Sequence, residues 1–206
     1  MTALFLSAFV TLFVVIDPPG CAPIFAGLTQ PGSAAHRRSM AIRSTLVASV
    51  ILLVFALFGE ALLAKLGISL DAFRIAGGIM LFLIALEMVF EKRTQRRESR
   101  AAEVSRTPEH DDISVFPMAI PMIAGPGSIA TVMLLMARSN GLGESLTVLA
   151  ALGAVLVLVL VSLLTAGPIM RVLGPKIEAM ITRVLGVILA ALAAQFVIDG
   201  IKASFA

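Results

Sequence analysis

Apolar residues run along this chain in long, almost uncharged blocks, separated by short stretches that carry nearly all of its ionisable groups. A helix crossing the hydrocarbon core needs about 20 mostly apolar residues. Marking off the blocks at that length predicts six membrane-spanning helices, over approximately residues 2–28, 41–64, 72–90, 114–137, 145–170 and 183–202. The fourth and fifth are the clearest, since neither Ile113–Ala137 nor Ser145–Met170 holds a charged residue. The third and sixth borrow Arg74, Glu87, Arg183 and Asp199 at their ends, where long side chains reach the interface. The first lacks the basic start and small-residue cleavage site of a secretion signal, and it is expected to remain in the protein.

Composition agrees with this pattern. Of 206 residues, 59% are hydrophobic and 14% charged, the mean hydropathy is +1.02, and there is no Trp or Tyr. A soluble domain is about 45–50% apolar and about a quarter charged, so the charges here are too few to cover a water-facing surface. The expected fold is an all-α polytopic membrane protein, with the lipid bilayer as its surroundings. A net charge of +3 and a pI near 9.6 would point to nucleic acid in a soluble protein. Here the cations lie between apolar spans and no nucleic-acid partner is implied. One cysteine, Cys21, forms no intramolecular disulfide, and Pro18-Pro19-Gly20 before it is a poor lipidation context. His36 and His110 are too isolated for a metal site, and no metal or cofactor is expected.

With six spans, twelve of the sixteen cations fall in or beside the loops after the first, third and fifth spans. The other four are Lys65, Arg74, Arg138 and Lys202, so the positive-inside rule places both termini outside, in the periplasm of a bacterium. The stretch 91–113 mixes both signs of charge with almost nothing to bury, and reads as a solvated cytoplasmic linker. It divides a single transmembrane domain, 1–206, into groups 1–90 and 114–206. Three spans in each group make the second enter the membrane in the opposite sense. A shift of 109 sets Arg74, Gly77, Ile79, Leu83 and Ala85 over Arg183, Gly186, Ile188, Leu192 and Ala194. A shift of 107 sets Pro19-Gly20 over Pro126-Gly127, so two inverted three-helix repeats are expected.

Those matched motifs interrupt their helices. Pro18, Pro19 and Pro23 remove backbone donors in the first span, and Pro121 with Gly125-Pro126-Gly127 does so in the fourth. Each break lies about 12 to 16 residues into its span, roughly 18 to 24 Å deep. Freed N–H and C=O groups there cannot face lipid, and must be buried in protein or line a polar cavity. Each half-helix beginning after a break is expected to aim free N–H groups and a partial positive charge into that cavity, which suits a carboxylate. Ser128 is placed to cap the second half-helix or to donate to a substrate. Asp17 is the carboxylate nearest the centre of any span; it reads as a proton site, an ammonium partner or a helix cap.

A helix N-terminus for a carboxylate beside a carboxylate for an ammonium describes a receptor for a zwitterion such as a neutral amino acid. The candidate substrate-binding residues are Asp17, Pro18, Pro19, Gly20, Cys21, Gly125, Pro126, Gly127 and Ser128, with Asp17 also the coupling candidate if protons drive the flux. Glu60, Glu87 and Asp199 lie toward span ends and read as interfacial groups, solvated or paired with Lys65, Arg93 or Lys202. Gln195 reads as an interhelical hydrogen-bonding group, and Gly77, Gly78 and Gly186 as points of close helix approach. No nucleophile-base pair stands in the spans, so an enzyme is not expected.

These motifs resemble the MarC family of six-span bacterial membrane proteins over nearly the whole chain. The marks are Asp17-Pro18-Pro19-Gly20 with Pro23-Ile24-Phe25 and Leu28-Thr29, then Arg74-Ile75-Ala76-Gly77-Gly78-Ile79. Ala119-Ile120-Pro121, Ala124-Gly125-Pro126-Gly127, Gln195-Phe196 and Gly200-Ile201 complete them. The resemblance implies an inner-membrane protein grouped with neutral amino acid transporters. It departs at Cys21, where similar proteins often have Asn, a stronger hydrogen-bonding group. The expectation is therefore a secondary transporter of small neutral amino acids, in uptake, export or exchange; a channel or exporter for another small solute, with no amino acid transport, is the alternative.

Overall fold

The computed structural model describes residues 1–29, 32–92, 95, 96, 99 and 112–205. Most of the linker, with Arg93, Arg97, Glu98, Arg100, Arg106, Glu109 and His110, lies outside the described residues. The described chain is helical, without a strand: α1 (Thr2–Ile16), α2 (Pro18–Thr29), α3 (Ala34–Lys65), α4 (Leu70–Val89), α5 (Ser114–Ile123), α6 (Pro126–Ala137), α7 (Leu142–Leu164) and α8 (Ala166–Ser204). Five apolar stretches are long enough to cross a membrane, and six if α5 and α6, which meet at 54°, are one span. The six expected stretches are thus helical, two of them in two pieces.

The ends of the spans show where apolarity alone misleads. The fifth was expected to run to residue 170, but α7 stops at Leu164 and α8 begins at Ala166. Pro168 lies in the first turn of α8, where no N–H is needed for the helical ladder. The residues beyond Leu164 are as uncharged as those before it, so charge could not mark the boundary. At the end of α3, Gly67 takes φ +70°, and Ile68 N–H returns 2.9 Å to the Leu63 carbonyl. That left-handed turn sends the chain back as α4.

In lipid the hydrophobic effect does not press helices together, so close contact depends on small residues. The most extensive interface lies between α4 and α8. A Cβ on Gly78 would lie 2.7 Å from Val197 Cγ2 and 2.9 Å from the Ala193 carbonyl, and one on Gly186 would lie 2.9 Å from Met88 Cβ. The other glycine of the pair, Gly77, turns to α6, where Leu134 Cδ1 would stand 2.9 Å from its Cβ. The expected role of Gly77, Gly78 and Gly186 in close approach therefore holds. Elsewhere α1 packs on α7 and α5 on α3; α2 lies against α7 and α8, and α6 against α3, α4 and α1. Leu12, Ile16, Phe25, Leu52, Met118 and Ile123 fill the larger core, while Val15, Leu81, Met88, Leu134 and Leu189 fill a second at the α4–α8 side.

Gly78→Ala should destabilise the protein by about 1–3 kcal/mol, because the new methyl meets backbone atoms of α8. Gly153→Ala in α7, with no atom within 4 Å of the added carbon, should stabilise by up to about 1 kcal/mol through helix propensity. Thermal unfolding of both variants in one detergent checks the opposite signs; shifts of the same sign would remove the packing role assigned to Gly78.

Candidate functional site

The first break is a single residue. Asp17 stands at φ 60°, ψ 65°, a left-handed conformation that Asp tolerates better than most residues, between the last turn of α1 and the first of α2. Its N–H completes α1 on the Phe13 carbonyl at 2.9 Å, and its own carbonyl accepts Cys21 N–H at 3.1 Å. Its carboxylate accepts Gly20 N–H at 3.2 Å and is 1% exposed. Pro18 and Pro19 have no N–H to satisfy. A Cβ on Gly20 would collide with the Asp17 carboxylate, so only glycine admits this cap. The Cys21 thiol donates 3.7 Å to the Ile16 carbonyl, another group freed by the break, which places the sulfur against backbone.

That arrangement corrects the expectation of two donor ends facing one cavity. The N-terminus of α2 meets its own needs: two prolines without donors, one N–H on the Asp17 side chain and one on the Asp17 carbonyl. The capping role of Asp17 is observed directly. Asp17, Pro18, Gly20 and Cys21 are buried and Pro19 half-buried; none of the five lines the cavity at the second break.

The second break is built differently. In α5, Phe116 (φ −127°, ψ 127°) and Ile120 (φ −124°, ψ 125°) are extended, each preceding a proline, as the proline ring favours. The Phe116–Pro117 and Ile120–Pro121 peptide bonds are cis. The chain turns at Ala124 and Gly125, where a Cβ on Gly125 would collide with the Pro121 carbonyl, and α6 starts at Pro126. The first bond of the α6 ladder runs from Ile129 N–H to the Gly125 carbonyl at 3.0 Å. The N–H groups of Gly127 and Ser128 fall ahead of that ladder, with no acceptor among the described residues. Ser128 is not the cap that was one of its two expected roles. Gly125 occupies the cap position without a side-chain hydrogen bond, and Ser128 sits in the first turn, 3% exposed. One turn further on, the Thr131 hydroxyl is buried without a hydrogen-bond partner.

The start of α6, without Thr131, walls a cavity of about 370 Å³. Gly125, Pro126, Gly127 and Ser128 form one wall, and Pro117, Pro121 and Met122 of α5 another. Met80, Leu83, Ile84 and Glu87 supply a face of α4, and Val15 of α1 also lines it. A Cβ on Gly127 would lie 2.6 Å from Ile84 Cδ1 and 3.5 Å from Val15 Cγ1, so the second break meets the turn just before Asp17. The two breaks are neighbours in this sense, although only the second opens into the cavity.

Two charged residues that the spacing had set aside also line it. Glu87 pairs with Arg96 at 2.6 Å, with side chains 23% and 57% exposed. The expected partner, Arg93, lies outside the described residues. No sequence signal marked Arg96 out among the cations of the linker; Glu87 was visible only as the one acid at the linker end of the third span. At the opposite end, Asp199 pairs with Arg138 at 2.8 Å instead of Lys202. Gln195 donates to Asp199 within α8 at 2.6 Å instead of bridging helices, since the acid one turn along is the nearer acceptor.

The entry to α5 is anchored by Asp112. Its carboxylate accepts the Ser114 hydroxyl, the Ser114 N–H at 2.9 Å and Arg43 of α3 at 2.9 Å. The Ser114 hydroxyl first, then its N–H and the Arg43 guanidinium, hold the Asp112 carboxyl below its ordinary value of 3.8, against an opposing effect of burial. A lowered value means the stabilisation is complete above the ordinary carboxylate range and is lost as pH falls through the lowered one. The pair is half exposed, so its worth is roughly 1 kcal/mol or less. Asp112→Asn should therefore unfold at a lower temperature than the wild type near neutral pH, with the gap closing as pH falls below the ordinary carboxylate range. Thermal unfolding of both proteins across that range tests this, and a gap that widens on acidification would contradict it.

The comparisons with known proteins cover the same length of chain. A model of the MarC family, described as integral membrane proteins, matches residues 2–205. A UPF0056 membrane protein of Methanocaldococcus jannaschii is 38% identical over 96% of this chain and 96% of its own. The UPF0056 membrane protein YvbG of Bacillus subtilis is 36% identical over 100% and 97%, and the UPF0056 inner membrane protein YhgN of Escherichia coli K12 is 36% identical over 96% and 95%. No solved structure matches it. With apolar helices long enough to span a bilayer and a family match along almost its whole length, this chain belongs to the MarC family of integral membrane proteins.

Proposed function

We propose that this protein is a secondary transporter of small neutral amino acids, working in uptake, export or exchange, with its substrate site at the break between α5 and α6. The observation that carries the reading is the free end of α6. Two backbone N–H groups, with Ser128 beside them, line a cavity at the foot of a half-helix about 18 Å long, at a depth where such donors need an acceptor. A substrate carboxylate supplies one, and the partial positive charge of the helix end favours it. The substrate backbone, shared by all neutral amino acids, does the binding, and the apolar walls take a small side chain.

The two-repeat reading supports alternating access. Exchanging the halves keeps three of the larger pairings, α1 on α7 corresponding to α5 on α3, α2 on α7 to α6 on α3, and α4 on α6 to α8 on α2, while α1 on α8 has no such counterpart between α5 and α4. One half rocking against the other about the cavity is the corresponding motion. The name of the Escherichia coli relative, an inner membrane protein, supports a plasma-membrane location, and the cation bias supports both termini outside. Protons couple to transport through Asp17, a buried carboxylate whose neutralisation changes the charge of the first break while its oxygen still caps α2.

Labelled alanine or glycine should show saturable, competable counterflow in proteoliposomes, accelerated by a pH gradient and absent from protein-free vesicles. Flux that passes without saturation or exchange would instead make the breaks the walls of a pore. Asp17→Asn should keep the cap, because an amide oxygen still accepts Gly20 N–H, and should remove the response to the pH gradient. A folded Asn variant with the wild-type pH response would exclude Asp17 as the coupling group.

A further inference from the structure

A zwitterion needs two poles, and the end of α6 supplies one. The carboxylate expected to supply the other, Asp17, is committed to the first turn of α2 and lies outside the cavity wall. The acid that does line the cavity is Glu87. It stands on the α4 face formed by Met80, Leu83 and Ile84, in the spacing of residues that share one side of a helix. Ile84 fills the space beside Gly127, and Glu87 is three residues further along α4, about 4.5 Å along its axis. The donors of α6 and the carboxylate of Glu87 are therefore offset by about one helical turn, across apolar walls.

We infer that Glu87 receives the ammonium group of the substrate, which displaces Arg96 from it; this rests on the amino acid reading above. The geometry makes the exchange reasonable on both sides. Arg96 is more than half exposed and returns readily to water, where an ion pair of this kind contributes little. Glu87 is the more buried partner and keeps a cationic donor in either state: the guanidinium before substrate enters, the ammonium afterwards. The occupied cavity then holds one positive and one negative substrate group, each against its complement, whereas a carboxylate without an amine leaves the Glu87–Arg96 pair in place and gains nothing from Glu87. Glu87 is thus the specificity-determining residue for the amine.

The test is alanine counterflow in proteoliposomes, with unlabelled alanine and propionate, which has the same carbon skeleton without the amine, as competitors. The wild type should prefer alanine. Glu87→Gln should raise the half-saturating concentration of alanine about tenfold or more and abolish its advantage over propionate. Arg96→Gln should lower it, since the internal competitor is gone. The exchanged pair E87R/R96E should restore the ion pair without restoring the preference for the amine. A folded Glu87→Gln protein that still prefers alanine overturns the assignment, as does recovery of alanine transport in the exchanged pair, which would make Glu87–Arg96 a structural tie. If Glu87→Gln does not fold, an unchanged or raised half-saturation in Arg96→Gln overturns it equally. Absence of neutral amino acid transport by the wild type removes the amino acid reading and this assignment with it; normal wild-type transport beside an unaffected variant removes the assignment alone.

Discussion

A backbone N–H or C=O released inside the hydrocarbon layer has no water to turn to, and the organisation of this protein follows from how two such releases are resolved. Both central breaks are made by proline and glycine, yet they end in opposite states. At the first, Asp17 in a left-handed conformation closes α1 and opens α2, its side chain taking Gly20 N–H while Cys21 turns its thiol to the Ile16 carbonyl. Every freed donor there finds an acceptor within a few residues. At the second, glycine holds the cap position and cannot reach back with a side chain, so the N–H groups of Gly127 and Ser128 remain available beside a cavity. One break is a closed joint in the fold; the other opens on a cavity.

The helix that makes the cavity usable is α4, which belongs to neither break. Its two adjacent glycines point to different neighbours, Gly78 to α8 and Gly77 to α6, so the same two residues set the distance of α4 from both. With no hydrophobic drive between helices in lipid, that close approach through missing side chains is what fixes the position of the helix. The face it turns to the break carries Ile84 against Gly127 and, one turn later, Glu87 with Arg96. Asp112, bonded to Ser114 and paired with Arg43, ties the start of α5 to α3 on the same side of the protein as the linker. The cavity thus lies between elements anchored separately, by glycine contacts on one flank and by a solvated charge cluster on the other.

The likeness to archaeal and bacterial membrane proteins spans each chain nearly end to end, so the comparison takes in both breaks and the stretch between the halves. On the proposed reading, recognition of a small zwitterion needs few specialised side chains: backbone donors, a hydroxyl and a single carboxylate suffice, in keeping with spans that carry little conspicuous polar chemistry.

The number of spans, the location of the breaks at Asp17–Cys21 and Gly125–Ser128, and the glycines of close approach were all legible in the chain itself. Each rests on a local rule: a length of apolar residues matched to a bilayer, a proline without an N–H, a glycine without a Cβ. The end of α7 at Leu164 was not legible, because residues on both sides of it are equally uncharged. Nor was the division of labour between the breaks. Whether a carboxylate caps a turn or faces a cavity depends on a side-chain direction set by one dihedral pair at Asp17, and which helix supplies the acid depends on packing between residues more than forty positions apart, Glu87 and Ser128. Local composition determines where a helix must fail in a membrane; only the tertiary arrangement decides which of the groups it frees are satisfied at once and which are left for a ligand.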